Sequence, residues 1–297
     1  MDIEEKMKIP VILLNYNSAS DCRKCVGFLK RQEDVNLEII IVDNASSDAA
    51  LANELCKEQG LTFIPADVNR GYNAGNNIGL RYAASKGYKY ALIANPDMEF
   101  PDPHYVKRLA QELDSTPQAV VVGSDIVTPD GIHQNPMLPD GGWTHSFGWI
   151  KDLIHPQKQQ EGYDFIGDYN TTAQCFKLSG CALMVRLDYI SRLGYFDEYP
   201  FLYCEEAILA KQVAHSGHKM RYVADTTAVH RHIPSAKGDP RPRFRQWQRS
   251  RLYFIRRYSG YPWYGRMLSS LSWRMYFTLM LFAFSLKNAN NDYASNI

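Results

Sequence analysis

The sequence lacks the long apolar run that a membrane-spanning helix needs. Such a helix takes about 18 or more apolar residues, and the nearest candidate, residues 268–286, is interrupted by Arg274 and several serines. The chain also has no excess of charge of one sign, since its net charge is +1, and it contains no internal repeat. What remains is the composition of an ordinary globular protein, with 297 residues, 45% of them hydrophobic and 22% charged. That length suffices for one large domain or two small ones.

Cysteine is scarce, and the six cysteines are scattered along a chain that shows no secretory leader. This usage predicts free thiols in a reducing compartment, and we therefore expect a cytoplasmic protein. Cys22 and Cys25 have the spacing of a redox motif, but no second pair exists to complete a zinc site. A zinc cluster of histidines is a further alternative, and its members would be His215, His218, His230 and His232.

The first hundred residues alternate apolar strands with helices. The predicted strands cover residues 9–16, 37–43, 61–65 and 88–94. A stretch rich in glycine and asparagine, residues 69–79, is interpreted as a loop that leads into a helix ending near Gly87. Continuous apolar strands joined by helices predict an α/β fold, with a doubly wound, mostly parallel sheet covered on both faces.

Polar residues follow three of these strands where each strand ends. Asn15, Tyr16 and Asn17 end the first, Asp43 ends the second, and the segment Asn95 to Asp97 ends the fourth. In open α/β sheets the ligand binds beyond the carboxyl ends of the strands. The run ALIANPDMEF, residues 91–100, therefore presents either a metal site built on its carboxylates or a plain polar turn.

The second part of the chain is less regular. Residues 129–170 are predicted as a long loop or flap, and residues 177–186 as a strand. A helix is expected from about Glu205 to Gly217, followed by one or two strands over residues 218–230.

The composition changes again after Arg231. Between His230 and Met267 there are ten lysines or arginines and one acidic residue, Asp239, with aromatic residues among them. Because an apolar segment follows directly, we expect an anionic membrane surface or a lipid-linked diphosphate as the partner, and no nucleic acid. The alternative is a helical pair that packs on the preceding domain and leaves its arginines in water.

Seven motifs occur in an order typical of one family. They are VILLNYNS, IIIVDNASSD, NRGYNAGNNIG, LIANPD, SGCALMVR, GYFDEYPFLYCEE and VH. Over about residues 9–232 they resemble the family 2 glycosyltransferases with the GT-A fold, above all the rhamnosyltransferase-like bacterial branch that builds surface polysaccharides. The resemblance implies a GT-A catalytic domain, residues 1–232, with a nucleotide-binding half to about residue 125 and an acceptor half after it. Residues 233–297 would form a basic, aromatic, helical extension.

The implied reaction is an inverting transfer from a nucleotide-diphospho-sugar with Mg²⁺ or Mn²⁺. The donor would be a UDP- or dTDP-sugar, with dTDP-rhamnose among the candidates. The acceptor would be a saccharide or lipid-linked saccharide of a cell wall, capsule or O-antigen, met at the inner face of the cell membrane. The sequence leaves the sugar, the nucleotide, the linkage and the oligomeric state open.

The resemblance also implies the donor site. Asp97 matches the metal-binding aspartate of the family's Asp-x-Asp motif, Asn95 stands where its first aspartate often is, and His230 matches a histidine that can complete the metal site. Asp43 matches the residue that accepts the N3–H of a pyrimidine. The residues expected to bind the nucleotide-sugar are Asn15, Tyr16, Asn17, Asp43, Asn69, Arg70, Asn73, Asn76 and Asn95.

The acceptor hydroxyl needs a base to remove its proton as the new bond forms. The family carries Glu-Asp at the start of the helix after FLY, and here the pair is Glu205-Glu206. Glu206 stands at the usual base position. Ile208 replaces an aspartate that the family often has two residues on, so the choice between the two glutamates stays open.

Three other classes of protein fit the residues less well. A nucleotidyltransferase would carry a basic, glycine-rich loop after the first strand, where this chain has NYNSASD. A nicotinamide-dependent Rossmann enzyme would also have its glycine loop there, whereas here it follows the third strand. A sugar-binding relative without catalysis has only Ile208 in its favour.

Overall fold

The computed structural model describes residues 7–154, 168–231 and 239–294. His232 and part of the predicted flap, residues 155–167, lie outside the described residues. The strands are β1 Lys8–Asn15, β2 Asn36–Asp43, β3 Thr62–Pro65, β4 Tyr90–Ala94, β5 Met98–Glu99, β6 Ala119–Val127, β7 Ala173–Cys175, β8 Ala182–Arg186 and β9 Lys219–His230. The α-helices are α1 Ala19–Leu29, α2 Ala49–Gln59, α3 Tyr72–Ser85, α4 Tyr105–Ser115, α5 Gly148–Ile154, α6 Leu187–Leu193, α7 Glu205–His215, α8 Arg241–Arg257 and α9 Trp263–Ala294. A 3-10 helix, Trp143–Phe147, precedes α5.

The strands form one sheet in the order β3-β2-β1-β4-β8-β6-β9-β5, and β7 pairs with β9. The first four strands are parallel, as the sequence predicts. β8 then runs antiparallel between β4 and β6, which joins the second half of the chain to the same sheet. The register pairs Asn15 with Asp43 and Leu13 with Ala94, so the carboxyl ends of β1, β2 and β4 share one edge.

Alternate residues of β1 enter two separate cores, one on each face of the sheet. Val11 and Leu13 pack with α1, α2 and α4, whereas Ile12 and Leu14 pack with α3, α6 and α7. A strand buried on both faces has to be apolar at every position, which explains the continuous run that the sequence shows. The predicted α/β fold with helices on both faces is thereby confirmed.

The core also accounts for the Cys-x-x-Cys pair. Cys22 and Cys25 both lie buried on the inner side of α1, and all six cysteines are free. Burial raises the pKa of Cys22 to about 12, so this thiol stays protonated. Redox chemistry needs the opposite, a partly exposed cysteine with a lowered pKa. The pair is therefore part of the core packing.

The glycine- and asparagine-rich stretch is mostly helix, and its interpretation as a loop through residue 79 was wrong. α3 begins at Tyr72, directly after Gly71. The inner face of this helix lies close to β1, where a Cβ on Gly75 would stand 2.4 Å from Leu14 Cδ1 and one on Gly79 would stand 2.6 Å from Ile12 Cγ2. Glycine is needed here for the close approach of helix and strand, so the loop-like composition serves packing.

The predicted C-terminal helical region is present as α8 and α9. Phe254 and Ile255 of α8 pack on Ala207 and Ile208 of α7. Trp247 of α8 contacts several aromatic rings of α9, namely Trp273, Tyr276 and Phe277. Among the helices of the described residues, none has both the length and the apolar character that crossing a membrane requires.

Candidate active site

A cleft of about 550 Å³ opens at the shared edge of β1, β2 and β4. This volume is typical of a site for a small molecule. The wall of the cleft comes from the loops after the three strands, the start of α3, the segment before α7, and Gln246 of α8. The lining residues include Tyr16, Asn44, Asn69, Gly71, Tyr72, Asn95, Asp97, Phe201 and Gln246.

A hydrogen-bonded network fixes the ends of β1 and β2 beside the cleft. The Asn15 side chain is fully buried, and its Nδ2 donates to Asp43 Oδ1 at 2.8 Å and to Asp48 Oδ1 at 2.9 Å. The second oxygen of Asp43 accepts the backbone N–H of Ser46 at 3.1 Å. Asn15 thus orients the Asp43 carboxylate, which is itself 2% exposed, and neither side chain is among the described residues that line the cleft. Ser46 and Asp48 were not among the predicted residues, although they follow Asp43 directly in a polar run.

Tyr16 and Asn17 stand at the mouth of this network. Tyr16 is 54% exposed and lines the cleft. Asn17 adopts a left-handed backbone, with φ 56°, and its Oδ1 accepts the N–H and the hydroxyl of Ser47, both at 2.8 Å. Of these two residues, Tyr16 is the one with an aromatic ring on which a ligand can stack.

The loop before α3 contributes one of its predicted residues to the cleft. Asn69 lines it, and its Oδ1 accepts from Asn44 Nδ2 at 3.0 Å and from the N–H of Gly71 at 2.9 Å. Arg70 instead forms an ion pair with Glu198 at 2.9 Å and faces a separate cavity of about 190 Å³.

Two further predicted asparagines, Asn73 and Asn76, are buried in α3. Asn73 Nδ2 donates to the carbonyl of Asp197 at 2.8 Å, and Asn76 Nδ2 donates to that of Tyr72 at 3.1 Å. In the part of the chain that the structure describes, the residues lining the main cleft include neither of these two asparagines. The Asn73 amide thus joins α3 to the segment before α7, whereas the Asn76 amide bonds within the first turn of α3.

The structure brings Asp97 and His230 together across the sheet. β5 and β9 pair with Met98 opposite His230, so His230 Nε2 lies 3.4 Å from Asp97 Oδ2. Burial lowers the pKa of His230, but hydrogen bonds to Asp97 and to the Cys181 sulfur raise it more strongly, to about 10. Glu99 is ion-paired with Arg231 at the surface.

This pair fits a cation that is shared with a substrate. Among the described residues no group of three or more histidine, cysteine, aspartate or glutamate side chains has the geometry of a metal site. Mg²⁺ is usually held by one or two carboxylates together with water and substrate phosphates, so one protein carboxylate with a neighbouring imidazole is a sufficient donor set. An imidazole binds a metal only when neutral, so binding would displace the proton that Asp97 stabilises.

The two glutamates of α7 begin the helix after a sharp turn. Tyr203 and Cys204 both have left-handed backbones, with φ 74° and 68°, and the turn directs Glu205 and Glu206 toward β8. Burial, followed by the charge of Glu206, raises the pKa of Glu205 to about 8. Glu206 Oε1 accepts the backbone N–H of Gly180 at 3.4 Å. The pair thus holds at least one proton at neutral pH.

Tyr72 connects the two carboxylate sites and was not predicted from the sequence. Its hydroxyl lies 2.7 Å from the carbonyl of Gly180 and 3.0 Å from Asn95 Oδ1. Its ring lines the cleft on one side and a small pocket beside Glu205 and Glu206 on the other. Burial raises the pKa of Tyr72 well above its ordinary value, so the hydroxyl keeps the proton that it donates.

Gly71 makes this arrangement possible, and its replacement by alanine is expected to destabilise the protein. Its φ is +100°, and a Cβ would stand 2.3 Å from the carbonyl oxygen of Phe201. That oxygen also accepts the N–H of Tyr72 at 2.9 Å. Backbone strain plus the clash should lower the free energy of unfolding by about 2 kcal/mol or more. Urea unfolding of Gly71→Ala measures this.

Gly27→Ala is the matched control. Gly27 lies in α1, and a Cβ there meets no atom within 4 Å. Alanine is the better helix former, so this variant should be neutral or more stable by up to about 1 kcal/mol. Equal stability of Gly71→Ala and the parent would contradict the tight contact between Gly71 and Phe201.

The fold and the site together define a glycosyltransferase of the GT-A type, and comparisons with known proteins identify the family. The model of glycosyl transferase family 2 matches residues 11–194. The chain is 22% identical over 280 residues to the N-acetylglucosaminyl-diphospho-decaprenol L-rhamnosyltransferase of Mycobacterium tuberculosis. The alignment covers 85% of this chain and 86% of that enzyme. The chain therefore belongs to glycosyl transferase family 2, and the resemblance found in its motifs is confirmed.

Solved structures agree on the fold. GalNAc-T7, crystallised with UDP, GalNAc and Mn²⁺, matches with a TM-score of 0.61 at 13% identity, over 82% of this chain and 47% of that chain. The mannosyltransferase PcManGT from Pyrobaculum calidifontis, in complex with GDP-Man and Mn²⁺, matches with a TM-score of 0.58 at 15% identity. That match covers 97% of this chain and 80% of the mannosyltransferase.

Proposed function

We propose that the protein transfers a sugar, with inversion, from a nucleotide-diphospho-sugar to a hydroxyl of a saccharide acceptor in polysaccharide or lipid-linked glycan synthesis. One observation carries the proposal. Hydrogen bonds through Tyr72 and Gly180 connect Glu206, at the start of α7, with Asn95, which precedes Asp97 by two residues at the carboxyl edge of the sheet. A group for the leaving diphosphate and a group for the attacking hydroxyl are thus held by one rigid unit.

The donor would bind along the edge formed by β1, β2 and β4. Tyr16 offers an exposed ring for the base, and the Asp43 carboxylate, which is 2% exposed and oriented by Asn15, would accept a pyrimidine N–H from a base seated against the end of β2. Asn69 and Asn95 line the path from there to Asp97 and would contact the ribose, the diphosphate or the sugar. Arg70, Asn73 and Asn76 would act indirectly, by holding the loop and α3.

A divalent cation, Mg²⁺ or Mn²⁺, would be held by Asp97 and His230. When bound, it neutralises the charge that develops on the departing diphosphate. GalNAc-T7 and PcManGT were each crystallised with Mn²⁺, which supports the use of a divalent cation by this protein as well.

Glu206 would take the proton of the acceptor hydroxyl. The acceptor oxygen then bonds to the anomeric carbon while the bond from that carbon to the diphosphate oxygen breaks, and attack from the opposite face inverts the configuration. Glu205 keeps its own proton at neutral pH, because burial and the neighbouring carboxylate raise its pKa to about 8. A protonated Glu205 cannot act as the base, since a base has to be ionised before it accepts a proton, and Glu206 is then the candidate.

A thermal-shift screen is expected to identify the donor. UDP-, dTDP- and GDP-sugars would each be added with and without Mn²⁺, because a ligand that binds only the native state raises the melting temperature. At a hundred times the dissociation constant the native state gains about 2.7 kcal/mol. The rhamnosyltransferase relative makes dTDP-rhamnose the first candidate. A pyrimidine nucleotide-sugar should stabilise the protein more in the presence of Mn²⁺.

The same assay, together with a measurement of nucleoside diphosphate release, separates the alternatives. Stabilisation by nucleoside triphosphates but by no nucleotide-sugar would overturn the proposal in favour of a nucleotidyltransferase. Binding of a nucleotide-sugar without any release of nucleoside diphosphate, in the presence of saccharide acceptors, would identify a sugar-binding relative without catalysis.

A further inference from the structure

Helix α9 exposes a stripe of apolar side chains. Each member is 44% to 63% exposed, and the stripe consists of Tyr264, Met267, Leu271, Met275, Leu279, Phe282 and Leu286. Successive members are three or four residues apart, so all of them lie on one face of the helix. We call this set the α9 stripe. Contiguous apolar surface of this size on one helix marks an interaction site.

The other faces of α9 already pack against the protein. Phe277 is fully buried against Trp247 of α8. Ser269 and Ser272 are also buried, and both accept hydrogen bonds from the 3-10 helix and α5. Ser146 Oγ donates to Ser269 Oγ at 2.9 Å, and Trp149 Nε1 donates to Ser272 Oγ at 2.8 Å. The helix is therefore fixed on the domain, and the α9 stripe points away from it.

The composition around the stripe indicates what covers it. From residue 240 to residue 291 the chain carries ten lysines or arginines and no acidic residue. Arg266 and Arg274 lie exposed on α9 itself, and Arg245, Arg249 and Arg256 are exposed along one side of α8. A second copy that docked through the same stripe would bring like charges together. Anionic headgroups are the complementary partner.

We propose that α9 lies flat on an anionic lipid bilayer, with the α9 stripe inserted at the boundary between headgroups and acyl chains. An amphipathic helix with basic flanks binds membranes in this way, through buried apolar area plus attraction to anionic lipid. Trp263 and Tyr264, at the beginning of the helix, are 70% and 44% exposed. Such rings favour the interface between membrane and water. The stripe provides the insertion, and the arginines provide the long-range attraction.

The structure divides the contact between the two helices of the C-terminal region. The sequence predicts attraction to an anionic surface from the basic residues together with the apolar segment that follows them. In the structure these arginines lie on a helix that packs between α7 and α9, and two of them, Arg241 and Arg251, are engaged within the protein. Arg251, for example, stacks over Trp273 and pairs with Asp140 at 3.7 Å. The exposed apolar surface belongs to α9.

Flotation of the full chain with vesicles tests the proposal. The triple variant Leu271→Gln, Met275→Gln, Leu279→Gln removes the middle of the stripe without removing helix propensity. Losing three side chains that insert into the interface should lower the partition coefficient for phosphatidylglycerol-containing vesicles on the order of a hundredfold. The parent should bind neutral vesicles more weakly, and its binding should fall as salt rises.

The matched control is Leu51→Gln, which removes a leucine that is equally exposed, at 59%, but lies on α2, and this variant should bind as the parent does. If the triple variant fails to fold, the single variant Phe282→Gln tests the same stripe.

Unchanged vesicle binding by these stripe variants would overturn the proposal. A parent dimer that the stripe variants dissociate, without vesicle binding, would assign the stripe to a second copy and overturn it as well. Nucleotide-sugar binding is measured separately and should be the same in all of these variants.

Discussion

Asp97→Asn is expected to reduce sugar transfer by about a hundredfold or more. The carboxylate lies at the edge of the cleft, 3.4 Å from His230 Nε2, and contributes no core volume. Asparagine has the same shape but lacks the negative charge that holds a divalent cation. If the cation supplies several kcal/mol to the leaving diphosphate, losing its main ligand removes that contribution. Transfer measured with saturating donor and a range of Mn²⁺ concentrations gives the effect.

Glu99→Gln is the matched control for the metal site. Glu99 is only two residues away, but it is ion-paired with Arg231 at the protein surface. An exposed pair of this kind contributes at most about 1 kcal/mol to stability, so this variant should retain activity. Both variants should unfold at nearly the parent temperature. Full activity and an unchanged Mn²⁺ requirement in Asp97→Asn would refute the assignment of Asp97 as a metal ligand.

Glu206→Gln is expected to lower turnover by about a hundred- to ten-thousandfold, the usual range for a lost general base. Donor binding should survive, because Glu206 lies beside Gly180 and not among the described residues that line the cleft proposed to bind the donor. The decisive readout is therefore a fall in kcat with an unchanged dissociation constant for the nucleotide-sugar. Near-normal turnover in Glu206→Gln together with loss in Glu205→Gln would reverse the two roles.

Glu205→Gln serves as the control and has a signature of its own in the pH dependence of stability. The pKa of Glu205 is about 8 in the folded protein, above the ordinary 4.5. Between these two values the folded state holds a proton that the unfolded state has released, so the parent loses stability as pH rises from about 4.5 to about 8. Glutamine cannot titrate, and this variant should lack that part of the decline. Urea unfolding at several pH values in this window measures the difference.

The strands that define the site could be predicted because their environment leaves few choices. β1, β2 and β4 are buried on both faces, so their sequences are continuous apolar runs, and the first polar residue marks the carboxyl edge. The apolar runs alone are enough to place Asn15, Asp43 and Asn95 at one edge, with Asp97 close by. The position of His230 beside Asp97 followed from the family resemblance alone, because it depends on the pairing of β5 with β9.

Local composition misled the prediction where tertiary contacts decide the conformation. Residues 72–79 have the asparagines and glycines that are typical of a loop. Positions 75 and 79 need glycine because α3 packs tightly on β1. Asn73 and Asn77 donate hydrogen bonds to the segment before α7. Tyr72 was missed for a related reason. Its two hydrogen-bond partners, Asn95 and Gly180, are 23 and 108 residues away along the chain, and no local pattern indicates contacts of that range.

The packing of α8 on α7 limits how freely the enzyme can be recombined with others. Gln246 of α8 forms part of the wall of the cleft, and Phe254 and Ile255 cover Ala207 and Ile208, directly after the two glutamates. A catalytic core grafted from this protein without its C-terminal helices would expose that apolar surface and open one side of its own substrate site. Chimaeras that exchange acceptor preference between relatives therefore need their junctions placed outside the unit formed by α7 and α8. Exchanging residues 1–232 as a module would separate surfaces that fold as one.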